Sequence, residues 1–165
     1  METNPFQLDM TLLPNQKKLR IAAWILLEIL ILGTLIMYTS LPDEIPTHFN
    51  AQGEADAYGS KNTVWFILGA FVFMNLLLYI ILQYPRYIKY PVKVTPENAQ
   101  KQYYNVVDMT MTLNILINLI GLIILFMSVD YELAGKLHLN KSLGFLTILC
   151  FVVVVYYLIK GYRNE

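Results

Sequence analysis

Glu28 is the one acidic or basic side chain that lies deep inside a long apolar run of this sequence. A helix rises about 1.5 Å per residue, which places Glu28 ~10–12 Å above the inner boundary of a membrane crossed by that run. A carboxylate at that depth costs on the order of a few kcal/mol, so we expect it to be protonated, paired or facing a wet cavity. Such a group can bind a proton or a small ligand.

Three asparagines are expected near Glu28. Asn75 and Asn118 fall within about one helical turn of its level when the apolar runs are built as helices. Asn114 shares with Asn118 a stripe of polar and small residues, and such stripes pack toward other helices. The sequence therefore predicts an inward-facing polar layer of Glu28, Asn75, Asn114 and Asn118. Two interpretations stay open: interhelical hydrogen bonds that fix the bundle, or a site for a proton or small ligand.

A second group of polar side chains lies in the stretch Leu41–Lys61, where His48 is surrounded by carboxylates. His138 lies near two further carboxylates in a second short polar stretch. Histidines with carboxylates can bind a divalent metal, but the spacing matches no established zinc or calcium pattern, so we predict no metal and no cofactor. The alternative is that His48, Asn50 and Asp56 hold the loop together by hydrogen bonds to the backbone. Whether His48 and His138 share a site is open.

The stretch Leu41–Lys61 is expected to form a compact, structured loop. Pro42 and Pro46 push the residues before them toward extended backbone, so the preceding helix cannot continue. Asn50 and Gly53 tolerate left-handed backbone angles. A rigid loop of this kind is suited to recognition.

Four apolar runs position these residues. The chain has 165 residues, of which 56% are hydrophobic, with a mean hydropathy of +0.48, far more apolar than a soluble domain. Each run is long enough to cross ~30 Å of hydrocarbon as a helix, and lipid excludes an open backbone. The predicted fold class is an all-α, polytopic membrane protein with four transmembrane helices in a single domain, 1–165. The predicted segments are a cytoplasmic tail (1–20), span 1 (21–40), an outer loop (41–62), span 2 (63–84), an inner loop containing a helix (85–108), span 3 (109–129), a second outer loop (130–141), span 4 (142–160) and a tail (161–165).

The distribution of lysine and arginine predicts the orientation. Most basic residues fall on the side of the termini, and cytoplasmic segments carry the excess of positive charge. Both termini are therefore predicted in the cytoplasm and the loop Leu41–Lys61 outside. The basic residues on the inner side are Lys17, Lys18, Arg20, Arg86, Lys89, Lys93, Lys101, Lys160 and Arg163, and those on the outer side are Lys61, Lys136 and Lys141.

Several function classes are disfavoured by composition and motif. The net charge is zero and the basic residues are scattered, so nucleic acid is not an expected partner. Cys150 is the only cysteine, which excludes an internal disulfide and a cysteine-based zinc cluster. No nucleophile pair, phosphate loop or dinucleotide fingerprint is present, so we predict no catalytic residues and no enzyme activity.

The outer loop carries a recognisable signature. The stretch LPDEIPTHFNAQGEADAYGSK resembles that of the SdpI-like membrane proteins (domain of unknown function 1648), in a short four-span form. The residues that match are Leu41, Pro42, Asp43, Ile45, Pro46, His48, Phe49, Asn50, Gly53, Asp56, Ser60 and Lys61. A weaker resemblance to the same family lies in Tyr90–Asn98, YPVKVTPEN.

The resemblance implies a multi-pass protein of the bacterial cytoplasmic membrane. The best-understood type is an immunity factor that protects its producer from a secreted killing peptide and holds a cytoplasmic repressor at the membrane. It implies as partners membrane lipid, a peptide toxin outside and a cytoplasmic regulator inside. The binding residues expected on this basis are Asp43, His48, Asn50, Gly53, Asp56 and Lys61.

Two other functions remain open. One is a small transporter or proton-coupled carrier built as a homo-oligomer, with Glu28 on the path. The other is an accessory subunit of a larger membrane complex, which would suit the small-residue stripe of span 3.

Overall fold

A computed structural model describes residues 8–50 and 54–163 of the chain. Within that part, helices and strands follow in the order α1 (Pro14–Met37), β1 (Glu44–Phe49), β2 (Ala55–Ser60), α2 (Thr63–Gln83), α3 (Ala99–Val129), α4 (Tyr131–Lys136) and α5 (Leu139–Arg163). Short 3-10 turns at Tyr38–Ser40 and Pro85–Tyr87 follow α1 and α2. Among the described residues, four helices are long and apolar enough to cross a membrane: α1 with the turn after it, α2, α3 and α5. The predicted all-α, polytopic fold is confirmed.

Helix α3 is the centre of the bundle. It packs against α1, α2 and α5, and it carries buried residues along almost its whole length. Gly121 makes the close crossing possible, because a Cβ atom there would lie 2.7 Å from the Leu30 side chain of α1 and 3.1 Å from the Phe71 ring of α2. Helix α5 is peripheral, since Gly161 is its one fully buried residue within the described range.

The bundle has two ends with separate apolar clusters. At the end that carries β1 and β2, here called the hairpin end, Leu30, Leu41, Ile45, Val64 and Leu125 form one buried cluster. At the opposite end, here called the termini end, Leu82, Tyr103, Val107 and Met111 form the other.

Helix α1 begins earlier than the predicted first span. Pro14 occupies the first helical turn, where a missing backbone N–H costs nothing. The segment 14–20, assigned from its polarity to a tail, is therefore helical. Residues before it also pack on α3, since Asp9 and Gln100 exchange two hydrogen bonds of 2.8 Å. Polarity thus marked the start of the apolar run and not the start of the helix.

The loop between the first two spans forms an antiparallel β-hairpin, which the sequence argument did not predict. Strand β1 pairs with β2 from Glu44 opposite Ser60 to Phe49 opposite Ala55, with irregular register around His48. Pro46 lies inside β1, where its lack of an N–H is tolerated because a two-stranded sheet consists of edge strands. The compact loop expected from the turn residues is thus a two-stranded sheet.

Helix α3 runs without a break from the termini end across the membrane, as the sequence predicts. It begins at Ala99, after a turn in which the Ala99 N–H donates to the Thr95 carbonyl at 2.9 Å. The second loop on the hairpin side contains the short helix α4, whose first turn is capped by Asp130 through the Leu133 N–H at 2.8 Å.

Candidate functional site

The hairpin is fixed to the bundle by an apolar anchor. Ile45 of β1 is fully buried and packs with Leu41 beneath it, in the cluster that joins α1, α2 and α3. Burying a side chain of this size stabilises its position by about 1.5–3 kcal/mol. The hairpin is therefore held as part of the protein core.

The base of the hairpin is closed by charge and hydrogen bonding. The Lys61 ammonium lies 2.9 Å from an Asp43 carboxylate oxygen, and the Lys61 N–H donates to the Asp43 carbonyl at 2.9 Å. Hydrogen bonding and charge attraction from Lys61 lower the pKa of Asp43, and the same contacts raise the pKa of Lys61. Two of the predicted binding residues thus act together to join the ends of the loop.

The tip of the hairpin is held by Asn50. Its N–H donates to the Glu54 carbonyl at 2.9 Å, and its side-chain oxygen accepts from the Glu54 N–H at 2.9 Å. Its amide nitrogen donates to the Glu54 carboxylate at 3.1 Å. The role predicted for Asn50 as a loop-holding residue agrees with this geometry. Gly53 lies outside the described residues.

His48 and Asp56 pair across the two strands. The His48 Nδ1 lies 2.5 Å from an Asp56 carboxylate oxygen, with side chains 67% and 44% exposed. This pair is open to solvent and accessible to a partner. His138 lies at the junction of α4 and α5, where its φ of 55° is in the left-handed region. Within residues 8–50 and 54–163, no three histidine, cysteine or acidic side chains form a group that could hold a metal ion.

Aromatic residues tie the hairpin to its surroundings. The Tyr131 hydroxyl of α4 accepts from the Ala55 N–H at 2.8 Å, and its ring lies 6.1 Å from that of Phe49. On the other side, the Tyr38 hydroxyl donates to the Asn62 side chain, and its ring lies 4.8 Å from that of Trp65. The sequence gives no sign of the Tyr131 contact, which joins residues far apart in the chain.

The predicted polar layer is only partly assembled. Asn75 and Asn118 are both buried and exchange two hydrogen bonds, of 2.8 and 3.1 Å. Asn118 also donates to the Ala23 carbonyl of α1 at 2.9 Å, and Asn75 to the Phe71 carbonyl at 2.8 Å. The two amides thereby link three helices. This is the arrangement expected if the polar residues serve to fix the bundle by interhelical hydrogen bonds.

Asn114 and Glu28 do not join that pair. The buried Oδ1 of Asn114 has no hydrogen-bond partner among the described residues, and Asn114 lines a small cavity of about 20 Å³ that also contacts Arg20 and Tyr79. A space of this size holds about one water molecule.

Glu28 is exposed on the outer surface of α1. The buried residues Ala23, Leu27, Leu30 and Thr34 mark the packed face of that helix. At 100° per residue Glu28 lies more than a quarter-turn from this face. The side chain of Glu28 therefore does not point into the inward-facing polar layer that the sequence predicted.

The comparisons with known proteins bear on the helix–hairpin–helix unit. Residues 25–72 match the family model described as Domain of unknown function (DUF1648). The chain contains a DUF1648 domain. The recognised signature is confirmed over this range, which covers most of α1, the hairpin and the first part of α2.

A partial match to one further protein adds to this comparison. An uncharacterized protein of Archaeoglobus fulgidus is 32% identical over 75 residues, which cover 41% of this chain and 41% of the relative. The match thus spans less than half the length of that relative. No solved structure matches the chain.

A further polar centre lies outside the DUF1648 domain, at the termini end. Asp108 of α3 accepts a hydrogen bond of 2.8 Å from the Gln16 side chain of α1, and it lies 3.6 Å from the Lys160 ammonium of α5. Gln16 is almost fully buried. Asp108 thus joins α1, α3 and α5 at the termini end of the bundle. By sequence, Asp108 belongs to the predicted inner loop and has no predicted role, although its position at the start of an apolar run is a usable signal.

Proposed function

We propose that this protein is an integral-membrane binding protein of the immunity type, whose hairpin recognises a basic peptide at the membrane surface. The observation that carries the proposal is the combination of a buried apolar anchor with an acidic, accessible face. Ile45 anchors the hairpin in the core, while Glu44, Glu54 and Asp56 are exposed above it.

The exposed face offers two kinds of contact. Its carboxylates would attract positively charged partners and raise their association rate. Strand β2 pairs with β1 alone within the described sheet, so part of its outer edge is open for an added peptide strand. Tyr58 on β2 is 58% exposed and adds an aromatic surface beside that edge. A basic, extended peptide combines the charge and backbone geometry that this surface fits.

The proposed orientation places the hairpin outside the cell and both termini in the cytoplasm, in a bacterial cytoplasmic membrane. Nine basic residues lie on the termini side and three on the hairpin side. Positive charge is retained on the cytoplasmic side of membrane proteins. A peptide arriving from outside would then meet the hairpin first.

A relay to a cytoplasmic regulator belongs to the same proposal. Ile45 of the hairpin packs in one cluster with Leu30 of α1 and Leu125 of α3. Helix α3 continues from that cluster to the termini end, where Asp108 is linked to α1 and α5. Peptide binding that shifts β1 would act on α3 through this packing.

The test is binding and protection by the full chain. Purified protein in nanodiscs would be titrated with fluorescent membrane-active basic peptides, and cells expressing it would be challenged with the same peptides. The triple variant Glu44→Gln, Glu54→Gln, Asp56→Asn should weaken binding roughly tenfold at low salt, and the loss should shrink as salt screens the charges.

Glu132→Gln is the matched control, because it removes an acidic residue at the same end that already pairs with Lys136 at 2.7 Å. Binding lost only in the triple variant supports the proposal. Equal binding by the wild type and the triple variant, or no binding and no protection across the panel, would overturn it.

A second candidate function is favoured by Glu28. Its carboxyl faces the surface of α1 at membrane depth, and within residues 8–50 and 54–163 no hydrogen bond or ion pair engages it. A lipid-facing carboxyl is costly, and a second copy of the chain packed on this face would cover it. The candidate is a homo-oligomeric proton-coupled carrier with Glu28 at the subunit contact. Proton flux into proteoliposomes that is lost in Glu28→Gln would support it, and flux absent from the wild type or unchanged in the variant would refute it.

A further inference from the structure

The termini end contains an apolar groove that the proposed function does not use. It measures about 510 Å³ and lies between the last turns of α2, the 3-10 turn Pro85–Tyr87 and the membrane-boundary part of α3. Its lining includes Leu78, Met109, Tyr84, Tyr87 and Lys89. From Leu78 to Tyr84 the groove follows α2 for about 9 Å.

The walls and the rim of this groove differ in chemistry. The walls are largely aliphatic along α2 and α3. The rim carries Tyr84 and Tyr87, which are 51% and 71% exposed, as aromatic residues at a membrane interface commonly are. Lys89 lines the rim, and the Arg86 guanidinium lies 4.7 Å from the centre of the Tyr87 ring.

The two basic groups have no acidic partner within the described residues. The ion pairs found there engage other lysines and His48. Asp108, next to Met109 of the groove wall, already forms a hydrogen bond with Gln16 and an ion pair with Lys160. Positive charge therefore remains uncompensated where the apolar groove opens to the interface.

The rim is held in place by its own hydrogen bonds. The Tyr87 N–H donates to the Tyr84 carbonyl at 3.0 Å, and the Ile88 N–H to the Pro85 carbonyl at 3.2 Å. The Tyr90 hydroxyl donates to the Pro85 carbonyl at 3.4 Å. Burial, with a smaller effect of Tyr103, raises the pKa of Tyr90 to about 12, so this hydroxyl stays a donor at physiological pH.

We propose that this groove is a binding site for an anionic phospholipid of the leaflet at the termini end. One acyl chain lies along the aliphatic walls between α2 and α3, and the phosphate lies at the rim beside Lys89 and Arg86. Basic pockets between transmembrane helices recognise anionic head groups in this way. A volume of about 510 Å³ is far larger than a single ion needs and suits part of an acyl chain. The site is independent of the peptide-binding proposal, because it lies at the other end of the bundle.

The experiment measures lipid retention by the full-length chain. Protein purified in mild detergent would be incubated with phosphatidylglycerol or phosphatidylcholine, with or without inorganic phosphate as a competitor. The lipid molecules that stay bound would be counted by native mass spectrometry. We expect phosphatidylglycerol to be retained over phosphatidylcholine. The double variant Arg86→Gln, Lys89→Gln should reduce this preference roughly 30-fold, since each basic residue near an anionic lipid contributes about a fivefold factor.

Two further variants separate a built site from general charge attraction. Lys93→Gln, Lys101→Gln removes two exposed basic residues from the same end but outside the groove, and it should leave the preference unchanged. Met109→Trp fills the groove and leaves the charges, and it should abolish retention. An equal loss in both charge variants, unchanged retention in Met109→Trp, no preference between the two lipids, or displacement of lipid by inorganic phosphate would each overturn the proposal.

Discussion

The amide pair Asn75–Asn118 gives the sharpest test of how this bundle is held together. The two side chains are 1% and 0% exposed and join α2 to α3 through reciprocal hydrogen bonds. Interhelical hydrogen bonds in membrane proteins contribute about 0.6 kcal/mol on average and at most about 1.7 kcal/mol. Two such bonds predict a coupling free energy of about 1–3 kcal/mol between Asn75→Ala and Asn118→Ala.

The single variants should differ from one another. Asn118→Ala also loses the bond to the Ala23 carbonyl of α1, so it should cost about 2–4 kcal/mol. Asn75→Ala additionally loses a bond to the Phe71 carbonyl of its own helix. That carbonyl stays within the α2 backbone ladder, so we expect the smaller cost for Asn75→Ala. Each substitution also removes packing, but this contribution largely cancels in the double-mutant cycle.

The assay is reversible unfolding of the full chain in mixed micelles, followed by circular dichroism. A control cycle combines Asn75→Ala with Ser128→Ala, because Ser128 is equally buried in α3 but bonds only the Ile124 carbonyl of its own helix. The control pair should be additive within about 0.5 kcal/mol. If the Asn75–Asn118 cycle is also additive within that margin, the two amides do not hold the helices together and the reasoning fails.

Three other predictions concern packing, pH and the termini end. Gly121→Leu should destabilise the bundle by about 1–3 kcal/mol by overpacking, whereas Gly69→Leu, with nothing within 4 Å of its Cβ position, should be neutral in the same unfolding assay. The pKa of Asp43 is lowered in the folded protein. Its ion pair therefore stabilises the folded state fully at pH values above the ordinary Asp pKa of 3.8, and this stabilisation is lost as the pH falls through the lower pKa of the folded state. Hydrogen exchange at the hairpin base, corrected for intrinsic rates, should accelerate over that range, and Asp43→Asn should remove this pH dependence. Asp108→Ala should cost about 1–3 kcal/mol, because the buried Gln16 amide loses its 2.8 Å acceptor and keeps only the Tyr104 carbonyl at 3.4 Å. Asp108→Asn should recover most of the loss, and equal losses in the two variants would contradict this role.

The sequence by itself determined the four membrane-crossing helices and the family signature. Length and hydropathy are local properties, so runs such as 63–84 identify spans without knowledge of their neighbours. The prolines at 42 and 46 and the turn residue Asn50 likewise predicted a compact loop, because backbone preference is also local. These expectations hold in the structure, where α2 covers Thr63–Gln83 and the loop is folded.

Only the tertiary structure decided which way the polar residues face. In lipid the outward surface of a helix is as apolar as its packed surface, so hydrophobic periodicity does not mark the inner face. Depth alone therefore placed Glu28 with Asn75 and Asn118, although only the two asparagines meet. The Tyr131 contact and the groove beside Lys89 likewise depend on segments distant in the chain coming together in space.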